Sequence, residues 1–224
     1  MKILFIGNSF TYFNDMPQRI FPLFTDAAGI ECEVYSVTKG GYTLGRFADP
    51  DDPYGKKVRE LLDTVSFDAV ILQEQSHTPI SNNEGFCSAL RLLDEMIEEN
   101  GARTYLYSTW GYHEGKESLP LYGTDTRDME MKLRAAYSAI AKEIGASVCQ
   151  VGRAMTYAHE HSDTTLYRPD FYHPSFIGSV IAAAVIFATV FKDKKSAVLL
   201  PVHELSESER EDVAAAVLHA LEEN

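Results

Sequence analysis

Five short β-rich apolar runs alternate with helical stretches along most of this chain, and that alternation leaves few folds open to it. The runs cover residues 2–6, 31–37, 67–72, 104–108 and 147–151. Between them, residues 16–28, 58–65, 84–99 and 128–144 carry apolar positions at helical spacing. Glycines or Asn-Gly close three of these stretches, at Gly29, Asn100-Gly101 and Gly145. Later helices are expected over 153–161, 174–191 and 206–221, the last opening on a Ser-Glu-Ser-Glu cap. Strands that alternate with helices form an α/β fold, a parallel sheet covered on both faces. With 224 residues and no internal repeat or linker, the chain reads as one domain, 1–224.

Charge and composition narrow the partners. The 33 acidic residues against 20 Lys and Arg give a formal charge of −13, which repels a phosphate backbone. The most basic run is only Lys-Asp-Lys-Lys at 192–195, so no nucleic-acid partner is expected. No apolar run approaches the ~20 residues of a membrane span, and the 180–191 stretch is too short. No signal-peptide pattern follows Lys2, and three widely spaced cysteines read as reduced. A cytoplasmic protein without a membrane partner is the expectation.

In open α/β sheets ligands bind beyond the carboxyl ends of the strands. The segments standing there are Gly7-Asn8-Ser9-Phe10-Thr11, Lys39-Gly40-Gly41-Tyr42-Thr43, Gln73-Glu74-Gln75-Ser76 and Thr109-Trp110-Gly111. Asp170-Phe171-Tyr172-His173-Pro174 precedes the apolar helix. Together they suit acyl transfer. Ser9 on a tight turn can project its hydroxyl, and His173, held extended by Pro174, can serve as base. Asp170 can orient the imidazole, and Gly41 N–H and the Gln75 amide can face an oxyanion. Asn8, Phe10, Tyr42 and Trp110 are candidate substrate contacts, with Tyr12 and Phe13 beside them. Each piece alone also has an ordinary reading as a βα turn, an N-cap or a turn glycine.

The blocks Ile3-Leu4-Phe5-Ile6-Gly7-Asn8-Ser9-Phe10-Thr11, Gly40-Gly41-Tyr42-Thr43-Leu44, Val70-Ile71-Leu72-Gln73-Glu74-Gln75-Ser76 and Asp170-Phe171-Tyr172-His173-Pro174-Ser175 with Gly178 stand in a telling order. In that order the chain resembles the SGNH hydrolase (GDSL-like lipase/esterase) superfamily, in a subgroup whose first block reads Gly-Asn-Ser-Phe-Thr. The resemblance implies a flavodoxin-like three-layer sandwich with strand order 2-1-3-4-5. It implies a serine esterase with Ser9 as nucleophile, His173 as base and then acid, and Asp170 as orienter. The oxyanion hole would be the Ser9 and Gly41 amides and a side-chain amide. That donor is asparagine in the family's Gly-x-Asn-Asp block; here Gln75 is the register match and Gln73 the second choice.

The expected substrate is a small acyl ester, an acylated carbohydrate among the candidates, and no cofactor or metal is expected. Two rival readings use other features. A flavodoxin-like flavin or phosphate binder would cradle its ligand with Ser9-x-Thr11, which leaves Asp170 and His173 without a task. A metal site would draw on His159-x-His161-x-Asp163, with His77 and His113 in loops. A non-enzymatic binding module on the same fold is the third alternative.

Overall fold

The first apolar run becomes the centre of the sheet. In the computed structural model, which describes residues 1–222, β1 (Lys2–Gly7) is buried from Ile3 onward. It pairs in parallel with β2 (Glu33–Thr38) on one side and β3 (Ala69–Leu72) on the other. β4 (Arg103–Tyr107) and β5 (Ser147–Cys149) extend the sheet, also in parallel, to the order 2-1-3-4-5. Successive side chains on a strand point to opposite faces, so each inner strand feeds two cores. Ile3, Phe5 and Ile71 enter one, Leu4, Ile6 and Val70 the other.

Helices cover both faces. The chain turns from β1 into α1 (Ser9–Tyr12), and α2 (Phe21–Ala27) follows. α3 (Leu44–Ala48) and α4 (Pro53–Thr64) lie between β2 and β3; α5 (Thr78–Ser81) and α6 (Asn83–Asn100) lead to β4. α7 (Thr126–Ile144) leads to β5, followed by α8 (Val151–His161), α9 (Phe176–Phe191), α10 (Lys194–Ala197) and α11 (Glu207–Leu221). α9 is apolar all round because α2, α8, α11 and β5 enclose it. Among the described residues no helix is long and apolar enough to cross a membrane. α11 opens on a capping box in which Ser206 and Glu209 satisfy each other's backbone N–H.

Three expected elements differ, each for a local reason. The single helix anticipated over 16–28 is broken: Met16–Ile20 forms a wider π-type turn and α2 starts at Phe21. Pro17 and Pro22 lack the N–H that a continuous helix needs, and each sits in the first turn of its own segment. The anticipated 58–65 helix begins earlier, because Asp52 caps Tyr54 N at 2.8 Å ahead of Pro53. Val151, expected at the end of the fifth strand, instead starts α8.

Candidate active site

Ser9 stands where β1 ends, in a loop held from behind. Asn8 N–H donates to Gln73 Oε1 at 2.9 Å, and the Thr11 hydroxyl donates to the same oxygen at 2.8 Å. Asn8 Oδ1 accepts from Phe10 N at 3.1 Å, and its Nδ2 donates to the Tyr42 carbonyl at 3.0 Å. These bonds fix the turn that lifts Ser9 Oγ off the strand end. They also use up the Gln73 side chain, which is fully buried and donates its Nε2 to the Glu74 carbonyl. Gln73 is therefore a bracket for the Ser9 loop, not a donor facing the cleft.

The partner loop comes from the other end of the chain. Arg168 N–H donates to His173 O at 2.9 Å and Phe171 N–H to Arg168 O at 2.9 Å, folding 168–173 into a tight loop. Phe171 sits in the left-handed region, at φ +66°. Within the loop Asp170 Oδ1 accepts from His173 N at 3.0 Å and from Tyr172 N at 3.3 Å, and Oδ2 faces His173 Nδ1 at 2.7 Å. A nitrogen facing a carboxylate carries the ring proton, so Nε2 is left as an acceptor. Ser9 Oγ lies 2.8 Å from that Nε2, across 164 residues of sequence. Burial raises the Asp170 carboxyl, but hydrogen bonds from the His173 ring and the His173 and Tyr172 amides outweigh it and hold it below its ordinary value.

Two clamps bring the loops together. Asn14, left-handed at φ +57°, gives its side-chain amide to the Ser175 carbonyl at 2.9 Å and the Ser179 hydroxyl at 2.8 Å. Trp110 stacks on Phe10 at 4.5 Å, 3° from parallel, and its indole N–H donates to Tyr172 O at 3.0 Å. Trp110 is wholly buried, so the expected substrate contact is corrected to a brace between β4 and the His173 loop. Tyr42 is likewise turned away: its ring packs on Phe47 and Tyr54 and carries the Arg46 guanidinium 3.8 Å above it. Phe10 and Asn8 border the cleft but are almost fully buried and mainly shape it.

The cleft itself has a volume of about 240 Å³. Ser9 and His173 line it together with Tyr12, Phe13 and Tyr172, with Gly40-Gly41 and with Gln75-Ser76. Gly41 closes a turn through Tyr42 N to Lys39 O at 3.2 Å and holds φ +72°, which a side chain would strain. Gln75 accepts from the Thr78 hydroxyl at 2.9 Å and donates its Nε2 to Ser76 Oγ at 3.0 Å. Sequence reasoning did not single out Tyr172, Ser76 or Asn14. Tyr172 had a signal in its place between Asp170 and His173; Asn14 had none, because its partners lie about 160 positions away.

No family model matches the chain, and no curated protein matches it. Among solved structures, a protein from Slackia heliotrinireducens described as a candidate SGNH hydrolase is 30% identical, over 84% of this chain and 98% of that one, with a TM-score of 0.74. The chain belongs to the SGNH hydrolase superfamily. A DUF4886 family protein from Bacteroides uniformis superposes over 97% of this SGNH hydrolase and 93% of its own length at TM-score 0.81 and 19% identity. The acetylxylan esterase Axe2 from Geobacillus stearothermophilus covers 84% of this chain and 93% of its own at TM-score 0.61 and 17% identity. Those two likenesses are of fold.

Behind the cleft this SGNH hydrolase buries a carboxyl that the sequence did not flag. Burial pushes Glu74 up to about 7, against the pull of hydrogen bonds from Gln75 N at 2.5 Å and Leu44 N at 3.1 Å. The folded state thus keeps this proton to higher pH than the unfolded chain, where the group titrates near 4.5. Ionising it costs stability as pH climbs from about 4.5 to about 7, by roughly 3 kcal/mol in all. Glu74→Gln is expected to gain stability relative to wild type across that window. Urea unfolding of both proteins at pH 5 and pH 8 measures it, and a difference that is the same at both pH values refutes the assignment.

The proposed ligand run on α8 separates for a geometric reason. Residues two apart on a helix point ~200° apart. His159 Nε2 meets Glu114 Oε2 at 3.0 Å, while His161 Nδ1 turns back to Tyr157 O at 2.9 Å and its ring stacks on Tyr157. His159-x-His161-x-Asp163 is therefore not a joint ligand set.

Proposed function

We propose that this SGNH hydrolase is a serine esterase for small acyl esters, acylated carbohydrates among them. The observation that carries the reading is the unbroken chain from Asp170 through His173 to Ser9 Oγ, opening on a cleft at the carboxyl end of the sheet. A flavin or phosphate binder has no use for that chain. Ser9 Oγ attacks the acyl carbon as its proton passes to His173 Nε2, and the carbonyl electron pair moves onto oxygen. The oxyanion is held by the Ser9 and Gly41 amides and the Gln75 side chain. Collapse restores the carbonyl and expels the alkoxide, which takes the proton from Nε2. Water then attacks the acyl-Ser9 ester, giving its proton to Nε2, and the acid leaves as Ser9 regains its hydrogen.

The small cleft volume favours acetyl over long acyl chains, and Tyr12, 38% exposed at its edge, offers an aromatic ring to a sugar. Turnover of p-nitrophenyl acetate, butyrate and longer esters, beside acetylated sugars, is the test. Activity falling with chain length is expected; no turnover of any ester, with no labelling of Ser9 by a fluorophosphonate, refutes the reading. Gln75→Ala is expected to lower kcat roughly 100-fold with little change in KM, because an oxyanion donor acts in the transition state. Unchanged kcat would leave the hole to the two backbone amides.

A further inference from the structure

On the far side of the His173 loop, three side chains from two chain segments converge without a part in the proposed hydrolysis. His113 and Glu114 come from the loop after β4, and His159 from the last turn of α8. One ligand atom from each lies within 4.8 Å of the other two. His159 Nε2 and Glu114 Oε2 are 3.0 Å apart, and His113 Nδ1 is 4.0 Å from the same Oε2. A tetrahedral zinc site with bonds of ~2.0–2.1 Å has ligand–ligand edges of ~3.3 Å. The first pair already matches, and His113 Nδ1 stands about 0.7 Å beyond such an edge from Glu114 Oε2.

We propose that His113, Glu114 and His159 form a binding site for a divalent transition-metal ion of the zinc class. The donor set fits that class: two imidazoles and one carboxylate suit zinc and its neighbours, not magnesium or calcium, which prefer all-oxygen shells. The carboxylate has a partner behind it, as ligating carboxylates commonly do: Thr126 Oγ1 shares its one proton between the Tyr112 carbonyl at 2.5 Å and Glu114 Oε1 at 2.8 Å. Gly115 N–H donates to His113 Nδ1 at 3.0 Å, so that nitrogen presents a lone pair in the neutral ring, and the ion takes that lone pair over. At His159 the proton moves from Nε2 to Nδ1. The site opens on a cavity of about 460 Å³ that Asp163 also lines, leaving room for water or a fourth protein ligand.

The ion would act as a pin. His113 N–H donates to Phe171 O at 3.0 Å and its ring stacks on Phe171 at 5.2 Å, inside the Asp170–His173 loop. α8 leads on to Leu166 and Tyr167, whose hydroxyl donates to Gly111 O at 3.0 Å. Joining His113 and Glu114 to His159 therefore ties together the two segments that flank that loop. This inference stands apart from the esterase reading, since it needs no turnover.

The test is calorimetric titration of Zn²⁺ into the untagged, chelator-treated full chain, with Co²⁺ absorption as a second readout. Expected are one equivalent bound with Kd below about 10 µM, visible Co²⁺ bands of a four-coordinate site, and no response to Mg²⁺. At a hundredfold excess of Zn²⁺ over Kd the Tm should rise by about 5–10 °C. His159→Ala and Glu114→Gln should each weaken binding at least tenfold, while His161→Ala and His173→Ala bind as wild type. Circular dichroism of each variant establishes that it is folded. Absence of saturable binding below ~10 µM, or equal affinity in folded His159→Ala, overturns the site.

Discussion

Ser9→Ala is expected to reduce ester hydrolysis roughly 10⁴- to 10⁶-fold while leaving the fold intact. In the proposed mechanism the whole first covalent step runs through this one oxygen. Ser76 carries the other aliphatic hydroxyl among the residues that line the cleft, but its oxygen is engaged with Tyr112 OH at 2.7 Å and with Gln75. Structurally the hydroxyl does little, since its one side-chain partner is His173 Nε2 and the turn is held by Asn8 and Gln73. Steady-state kinetics on the best ester, with thermal unfolding alongside, decide it. Wild-type turnover in folded Ser9→Ala would end the serine-esterase reading.

His173→Ala should lose as much as Ser9→Ala, and Asp170→Asn less, by roughly 10²- to 10⁴-fold. The asymmetry follows from the two oxygens of Asp170. Oδ1 serves two backbone N–H groups, so an asparagine would keep its carbonyl there and turn its NH₂ toward Nδ1. The imidazole must then accept at Nδ1 and carry its proton on Nε2, the wrong tautomer to take the Ser9 proton. Flipping the amide restores the tautomer but sets NH₂ against two N–H donors. The ring is still present in either case, which is why some activity survives. Equal rates for Asp170→Asn and wild type would make Asp170 a loop-building residue only.

Much of the site was readable because its chemistry is packed into short local blocks. Ser9 closes a strand with Gly7-Asn8, Gly41 sits in a Gly-Gly turn, and Asp170 and His173 are three residues apart before a proline. Pro17 and Pro22 could have warned against a single helix over 16–28, and the helical apolar spacing concealed them. Asn14, the second role of Gln73 and the burial of Trp110 were not readable, because each depends on partners far along the chain. A polar side chain in a buried place is defined by what it bonds, and pattern carries no record of that.

The alternation of short apolar runs with helical spacing determined by itself that this chain builds a parallel sheet with two covered faces. It also determined that the Ser9, Gly41 and Gln75 segments lie past strand ends, since a parallel strand can only be followed by a crossover at its carboxyl edge. Packing decided the rest. Only the folded chain makes Gln73 a buried bracket and leaves Gln75 at the cleft, and only it draws His173 onto Ser9 through Asn14 and Trp110. The physical reason is one of range: hydrophobic periodicity and turn chemistry act over a few residues, whereas the hydrogen bonds that aim the site join residues far apart in sequence, once the core has brought them together.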